Sequence, residues 1–387
     1  MKKNHIRLLL FMGIILFFIL PPMQVHAGEN ADVTSEFEYI DSWFSTSDLD
    51  SINEGMDSLF PGMNLDAKQL LSMIMNGQVI EAFKMLTGQI KDSLWGELSG
   101  LRQIFLYILI LGVVSALFSE FSDLFAGQQI AQTGFYFLYL FLMAILTKVF
   151  LFVSEIASDT MESIVLFVKL FIPTYSVVVG TAQGSASGVY YYQLMLMVAY
   201  LVESFLNAVL IPFIYSYVVL ALLNGLWTEE KLTLLLEFIE KGILLALKIS
   251  MGAVTGLSLV QAVIVPVASG LKISAMRKAI AAIPGIGGVT EGVAELVLGS
   301  AVLIKNSMGV LLLILLFGAC LMPLLKILIV TGTVKLGAAI TGIVSDKRVS
   351  LCADRVGGGC LLLLRCVFTS VILFIVVIAV VSYTVSY

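Results

Sequence analysis

Long uninterrupted apolar stretches dominate the sequence, and the last of them sets the class of protein. Leu361–Tyr383 contains a single charged residue, Arg365, and is long enough for a helix to cross the roughly 30 Å hydrocarbon core of a bilayer. Of all residues, 59% are hydrophobic and 13% are charged, against about 25% charged in soluble domains. The sequence therefore predicts an all-α, polytopic integral membrane helical bundle of about seven to nine spans. The other clear spans are predicted at Gln103–Phe118, Gly134–Val153, Ser163–Gly180, Ile243–Val265 and Met308–Val330.

The rest of the apolar region is interpreted from its breaks. Val189–Leu226 is too long for one span, and Asn207–Pro212 predicts a hinge between two spans. The basic residues of Asp346–Arg355 place that segment in the cytoplasm by the positive-inside rule. The remaining predictions are polar loops at Ser154–Glu162 and Asp346–Arg355, an interfacial amphipathic helix at Glu229–Lys241, an interfacial helix, re-entrant turn and half-helix within Pro266–Lys305, and a short span at Thr331–Val344.

The N-terminus has the pattern of an export signal. Lys2, Lys3 and Arg7 precede the apolar run Leu8–Leu20, which is short for a full span, and small residues occupy the −3 and −1 positions before a cleavage position after Ala27. The sequence therefore predicts a signal peptide at 1–27, with an uncleaved anchor helix as the alternative. Either form delivers the chain from Gly28 onward to the outer side of the membrane.

Residues 28–100 form a predicted acidic extracytoplasmic segment, and residues 101–387 form the multi-span transmembrane domain. Gly28–Gly100 carries 13 Asp and Glu residues against 3 Lys. Apolar residues recur at helical spacing over Asp66–Gly100 and predict two short amphipathic helices broken near Asn76-Gly77. Their apolar faces would pack on each other and the membrane surface, or on the ectodomain of a partner protein.

Two scarce residue types limit the chemistry of the chain. Both histidines, His5 and His26, lie in the predicted signal, which excludes Ser–His and Cys–His nucleophilic pairs and ordinary histidine zinc sites from the mature chain. No basic stripe supports nucleic-acid binding. We therefore expect no enzymatic activity, cofactor or metal. The cysteines show no C-x-x-C spacing and are interpreted as buried small hydrophobes or free thiols; they are Cys320, Cys352, Cys360 and Cys366.

Ionisable residues inside predicted spans are costly and mark candidate functional positions. Glu203 is the one acidic residue deep in a clear span, and it predicts either a proton or ion relay or a structural pair with Lys169 or Lys248. The turn Pro284–Gly288 lacks the G-K-[ST] ending of a phosphate loop and is interpreted as a bend within the bundle. The candidate intramembrane polar and hinge positions are Lys169, Glu203, Pro212, Lys248, Pro284, Gly285, Gly287, Gly288 and Lys326.

The C-terminal half carries a more specific pattern. The run AAIPGIGGVTEGVAELVLGSAVLIKNSMGV is followed by an apolar span, MPLLKIL and a final membrane helix. With the order of signal, acidic segment and multi-span body, this sequence resembles the stage III sporulation protein AE family. The resemblance is strongest over Gly288–Lys335, in the Gly-Val-Thr-Glu-Gly-Val run, the pair Lys305 and Asn306, and the spacing of Pro323 and Lys326. The N-terminal third shares only the layout.

The resemblance implies a specific role. Members of this family belong to a secretion-like channel complex that joins the mother-cell membrane around the forespore to a forespore partner and sustains late forespore gene expression. The chain would then be a non-enzymatic multi-pass subunit in the mother-cell membrane, with other membrane subunits and a forespore membrane protein as partners. The family has no established catalytic residues to carry over. A stand-alone small-molecule or ion permease is the alternative, and a membrane-embedded enzyme ranks third.

Overall fold

Helices account for nearly all of the described chain, which confirms the all-α prediction for these residues. The computed structural model describes residues 46–59, 65–87, 128–183, 186–227, 231–281, 287–344 and 347–383, and for 258–281 and 287–305 it describes only the helical backbone. The helices are α1 (Thr46–Leu59), α2 (Ala67–Met75), α3 (Val79–Thr87), α4 (Gln128–Gln183), α5 (Ala186–Phe205), a π-turn (Leu206–Leu210), α6 (Ile211–Asn224), α7 (Thr233–Ala281), α8 (Gly287–Val344) and α9 (Lys347–Tyr383).

Several sequence predictions fall on other residues. The predicted signal peptide at 1–27 and the start of the acidic segment lie outside the described residues. Most of the predicted span Gln103–Phe118 does so too. The residues described within that span are all helical; they are Leu106, Tyr107, Ile110, Val113 and Val114.

The last helix, α9, lies at the centre of the bundle. Within the described residues, four helical segments are long and apolar enough to cross a membrane: Thr133–Phe171, Leu196–Asn224, Asn306–Ile343 and Lys347–Ala379. Within an apolar 18-residue window of each segment, 61% is buried in α9, against 39%, 44% and 44% in the other three. Helix α9 contacts α8, α4, α7, α6 and α5. Four candidate spans thus support the prediction of a multi-span membrane protein. The predicted number of about seven to nine spans stays a prediction.

Three consecutive glycines allow α9 to occupy this position. A Cβ atom on Gly359 would lie 2.2 Å from Val218 Cγ2 of α6, and one on Gly357 would lie 2.8 Å from Lys335 Cγ of α8. Gly358 lies next to the Tyr217 hydroxyl, at 3.3 Å from the same hypothetical atom. Small residues of this kind let helix backbones approach closely within membranes. The glycines therefore bring α6 and α8 against adjacent faces of α9.

Helix α4 runs without a break through the segment Ser154–Glu162, so the prediction of a loop there is wrong. The three acidic residues of this segment, Glu155, Asp159 and Glu162, follow helical spacing and are all exposed. Ser154 and Ala157 of the same segment are fully buried. The hydroxyl of Thr160 donates to the Ile156 carbonyl at 2.6 Å, so this polar side chain is satisfied within the helix. The acidic residues on the exposed face of the helix gave this segment the composition of a loop, which explains the wrong prediction.

The prediction of a second loop, at Asp346–Arg355, is also wrong, because α9 begins at Lys347. Buried Val349, Cys352 and Ala353 face the bundle, while Asp354 is exposed and forms an ion pair with Lys335 of α8 at 2.8 Å. The two helices that this ion pair joins are antiparallel and lie side by side.

Two other predicted boundaries lie within continuous helices, and a third prediction falls partly outside the described residues. Thr331 is buried in the middle of α8, so there is no break before a separate span Thr331–Val344. The predicted interfacial helix Glu229–Lys241 is, from Thr233 onward, the first part of the 49-residue α7. In Pro266–Lys305 the described parts, 266–281 and 287–305, are helical, while the predicted re-entrant turn falls mainly on residues 282–286, which lie outside the described residues, and stays a prediction.

The long helices exceed the thickness of a bilayer. Helix α4 has 56 residues and α8 has 58, which correspond to about 84 and 87 Å, against a hydrocarbon core of about 30 Å. One end of the bundle, here called the arginine end, is marked by Arg348 of α9 over the Phe135 ring of α4 and by Arg355 bonded to Thr233 of α7. Because α4 starts and α8 ends near this point, both helices extend far beyond it in the same direction.

The short helices α1–α3 pack on that distant part of the bundle. The predicted break at Asn76-Gly77 is confirmed, and Gly77 has a φ of 77°, which favours glycine. Gly55 of α1 lies against the Phe171 ring of α4, and the rings of Phe83 in α3 and Phe317 in α8 are 5.9 Å apart. The apolar faces of these helices thus contact the long helices as well as each other.

The close contact of α9 gives a direct test. Replacing Gly359 by Ala inserts a methyl group where Val218 stands, so we expect a loss of about 1–3 kcal/mol in stability. The midpoint of thermal unfolding in detergent would fall correspondingly. Gly252→Ala is the matched control, since nothing lies within 4 Å of its hypothetical Cβ and alanine is the better helix former. An unfolding midpoint for Gly359→Ala equal to that of the control would contradict the packing described here.

Candidate functional site

Glu203 is a carboxylic acid sealed inside the bundle. It lies in the last turn of α5, and only 1% of its surface is exposed. Its Oε2 atom accepts a short hydrogen bond from the Ser370 hydroxyl of α9. Its Oε1 atom has no hydrogen-bond donor among the described residues. Burying an acid with one neutral donor costs free energy.

The chain leaves regular helical geometry directly after this acid. Over Leu206–Leu210 it forms a π-turn, in which the Ile211 N–H bonds to the Leu206 carbonyl five residues earlier. Pro212 follows in the first turn of α6 and has no N–H to donate. The wider turn accommodates the proline ring, and Ser216 Oγ donates to the Pro212 carbonyl at 3.0 Å. Single π-turns are frequent at functional sites.

The predicted hinge at Asn207–Pro212 therefore has a structural counterpart, but it does not separate two spans. Helices α5 and α6 continue each other through the π-turn and form one candidate span, Leu196–Asn224. Because the axis is not reversed, the chain needs no polar loop at this point. The prediction of two hinged spans in Val189–Leu226 is wrong for this reason.

Helix α5, which carries Glu203, packs on α4, α7 and α9. The buried thiols of Cys320 and Cys366 lie close enough to interact electrostatically with its carboxyl group. Lys169 and Lys248, the two cations predicted as its partners, are both exposed on α4 and α7. Glu203 pairs with Ser370 instead, so the predicted structural pair is wrong. The proton or ion relay stays a prediction.

The remaining candidate positions do not converge on Glu203. Pro212 is exposed, and Lys326 is half-buried in α8. Gly287 and Gly288 form the start of α8, while Pro284 and Gly285 lie outside the described residues. Ser370, Cys320 and Cys366 were not among the predicted site residues. Nothing in an apolar sequence run distinguishes a hydroxyl or thiol that faces an acid from one that faces another apolar residue.

The height of the site within the bundle follows from helix geometry. Along α9, the stretch from Arg348 to Ser370 spans about 33 Å at 1.5 Å per residue. This is close to the thickness of the hydrocarbon core, about 30 Å. If Arg348 lies at one membrane surface, the Glu203–Ser370 pair lies near the opposite surface. The pair therefore lies at about the same height in the bundle as the first exposed acidic residues of α4.

The described residues contain no group of three or more His, Cys, Asp or Glu side chains that could hold a metal ion. The two thiols near Glu203 are Cys320 of α8 and Cys366 of α9, and each supplies one sulfur beside a single carboxyl group. The chemistry available at this position is therefore that of one acid, one hydroxyl, two thiols and apolar side chains. The expectation of no cofactor stays a prediction.

Comparisons with known proteins agree with the pattern seen in the sequence. The family model described as stage III sporulation protein AE matches residues 65–384. A protein of Bacillus subtilis (strain 168) named "Stage III sporulation protein AE" is 18% identical over 248 residues, which cover 64% of this chain and 62% of that protein. The matched part thus spans less than two thirds of the relative. No solved structure matches.

The hydrogen bond between Ser370 and Glu203 predicts a specific loss of stability. Ser370→Ala removes the described donor to a buried carboxyl group, so we expect a cost of about 1–3 kcal/mol and a lower unfolding midpoint in detergent. Ser204→Ala, next to Glu203 but exposed, serves as the control and should change stability by less than about 0.5 kcal/mol. In a double-mutant cycle with Glu203→Met, which removes the acceptor at similar side-chain length, additive effects of the two substitutions would show that the pair is not coupled.

Proposed function

Because the chain belongs to the stage III sporulation protein AE family, we propose that it is a non-enzymatic, multi-pass membrane subunit of a secretion-like channel that links mother cell and forespore during sporulation. The observation that carries this proposal is the match of the family model over residues 65–384, which include α2, α3 and the whole long-helix bundle. In this role the protein supports late forespore gene expression together with other membrane subunits and a forespore membrane protein.

The architecture supports a structural part in such an assembly. Helices α4 and α8 are far longer than one bilayer crossing requires, and they carry α1–α3 at the end away from Arg348. With Lys347, Arg348 and Arg355 in the cytoplasm by the positive-inside rule, the projecting part would enter the space between the two membranes. A rigid helical projection of this kind suits contact with a partner across that space.

A permease is the second candidate, and the Glu203 site is the observation that favours it. Transporters use interrupted helices with polar groups at the interruption to bind ions or substrates. Here a buried acid stands one turn before a π-turn. Flux of ions or small solutes into proteoliposomes that contain this chain alone would favour the permease, whereas co-purification of further membrane subunits after mild detergent extraction would favour the channel subunit.

The proposed orientation predicts a difference in labelling. The four native cysteines are buried, so only cysteines introduced at exposed positions should react with a maleimide. For protein produced in vegetative cells, Gln69→Cys in α2 should react with a membrane-impermeant maleimide in intact protoplasts. Lys347→Cys at the start of α9 should react only after the membrane is permeabilised. The opposite pattern of labelling would reverse the orientation and remove the intermembrane position of α1–α3.

The biological role predicts the phenotype of a clean deletion in the native host. We expect engulfment to finish, a late forespore-specific reporter to stay silent and the forespore to shrink, with recovery on expression of the intact chain from another locus. An early reporter in the same forespore is the control and should remain normal. Normal sporulation of the deletion strain would contradict the proposed role.

A further inference from the structure

Glu203 combines burial with an unused oxygen atom. Its side chain is 1% exposed, its Oε2 accepts a hydrogen bond from the Ser370 hydroxyl, and its Oε1 has no hydrogen-bond partner among the described residues. A carboxylate offers about four acceptor positions, whereas a neutral carboxylic acid carries a proton on one oxygen and needs fewer donors. A single neutral donor therefore suits the neutral form of this acid better than the charged form.

Among the described residues, no cation pairs with this acid. The side chains that interact with Glu203 are one hydroxyl and two thiols, those of Ser370, Cys320 and Cys366. On α4, α7 and α9, the helices packed against α5, the charged side chains nearest to the height of Glu203 are exposed, except for half-buried Arg365; they are Glu155, Asp159, Glu162, Lys169, Lys248 and Arg365. A negative charge on Glu203 would therefore lack the partner that a buried charge requires.

Two helices independently place this acid near one membrane surface. Along α9, Ser370 lies about 33 Å from Arg348 at 1.5 Å per residue. Along α5 and α6, the stretch from Glu203 to Asn224 spans about 32 Å, and Asn224 lines the same cleft as Arg348 and Arg355. Both lengths are close to the hydrocarbon thickness of about 30 Å. With the arginine end at one membrane surface, Glu203 therefore lies close to the opposite surface.

The described part of the chain offers no series of carboxyl groups from Glu203 to the arginine end. The next carboxyl groups in that direction are those of Glu240 in α7 and Asp354 in α9, and both lie close enough to Tyr217 to interact with it electrostatically. Tyr217 is about 21 Å from Glu203 along α5 and α6. Direct proton transfer needs a hydrogen bond or one bridging water. A proton on Glu203 is therefore close to one surface and has no carboxyl group within reach that leads to the other.

From these observations we propose that Glu203 is a proton-binding site, in which the acid is held neutral and exchanges its proton with the membrane surface opposite the arginine end. The hydrogen bond from Ser370 marks Oε2 as the carbonyl oxygen, so the proton resides on Oε1. Acids buried in membrane bundles serve as proton sites in pumps and transporters. The proposal goes beyond the sporulation role and applies equally to a channel subunit and to a permease.

Infrared spectroscopy of the full chain, purified in mild detergent at neutral pH, tests the charge state. The C=O stretch of a neutral carboxylic acid absorbs at a higher wavenumber than the amide I band of the backbone, and exposed acids are ionised at this pH and do not contribute. We expect this band from the intact protein and its loss in Glu203→Gln. The variant has the size of the neutral acid and keeps an acceptor for Ser370, so its unfolding midpoint should stay close to that of the intact protein. Identical spectra of the two proteins in this region would overturn the proposal.

The hydrogen bond from Ser370 supplies a second spectroscopic signature. A donor at the carbonyl oxygen lowers the frequency of the C=O stretch, so Ser370→Ala should move the band to a higher wavenumber. Ser204→Ala is the matched control, because Ser204 is exposed on α5 and its loss should leave the band in place. A band that Ser370→Ala does not move would overturn the assignment to Glu203, even if Glu203→Gln folded poorly.

The direction of exchange is tested in proteoliposomes that hold the chain in one orientation. The pH is first raised in detergent until the band disappears, and that pH is then applied to one face of the membrane. We expect the band to disappear when the face that carries α1–α3 is made alkaline and to remain when the arginine end is. Loss from the arginine end would overturn the one-sided exchange and support a relay across the bundle. A band that no pH removes from the folded protein would overturn proton exchange with either surface.

Discussion

The close approach of α9 to its neighbours at Gly357–Gly359 is the contact on which the rest of the bundle depends. Helices in a bilayer gain nothing from hiding apolar side chains from lipid, so they associate through tight packing and interhelical hydrogen bonds. The three glycines bring α6 and α8 against α9 over one turn of helix. From this turn the ion pair of Lys335 with Asp354 lies toward the arginine end, and the bond of Ser370 to Glu203 lies on the other side.

The polar groups of the bundle lie at two heights along its axis, and their different chemistry distinguishes the two ends of the molecule. Arginines, an asparagine and a tyrosine hydroxyl meet at the arginine end, where the ends of α6 and the beginnings of α7 and α9 come together. About one hydrocarbon thickness away, Glu203 and Ser370 form the second level beside the π-turn. Past that level the helices continue and support α1–α3. A membrane protein with basic residues at one end and a helical projection at the other follows from this division.

The class of the protein and the structure of its most periodic segments could be predicted from the sequence. The apolar stretch at Leu361–Tyr383, the break at Asn76-Gly77 and the burial of Glu203 could all be predicted from spacing and composition. Helix continuity could not. At Ser154–Glu162 three acids in nine residues have the composition of a loop, yet they share one exposed face. The partner of Glu203 was also missed, because an apolar run gives no sign of which hydroxyl faces an acid across the bundle.

The central claim is that α4 is one continuous helix which leaves the bilayer, instead of two spans joined by a loop at Ser154–Glu162. The most direct measurement is the distance between nitroxide labels at Lys148→Cys and Lys169→Cys, both exposed on α4, by double electron–electron resonance. A continuous helix predicts backbone positions about 32 Å apart. Two antiparallel spans would place the same positions at nearly equal height and about 10 Å apart. A single long distance would support the architecture described here, and a short one would contradict it.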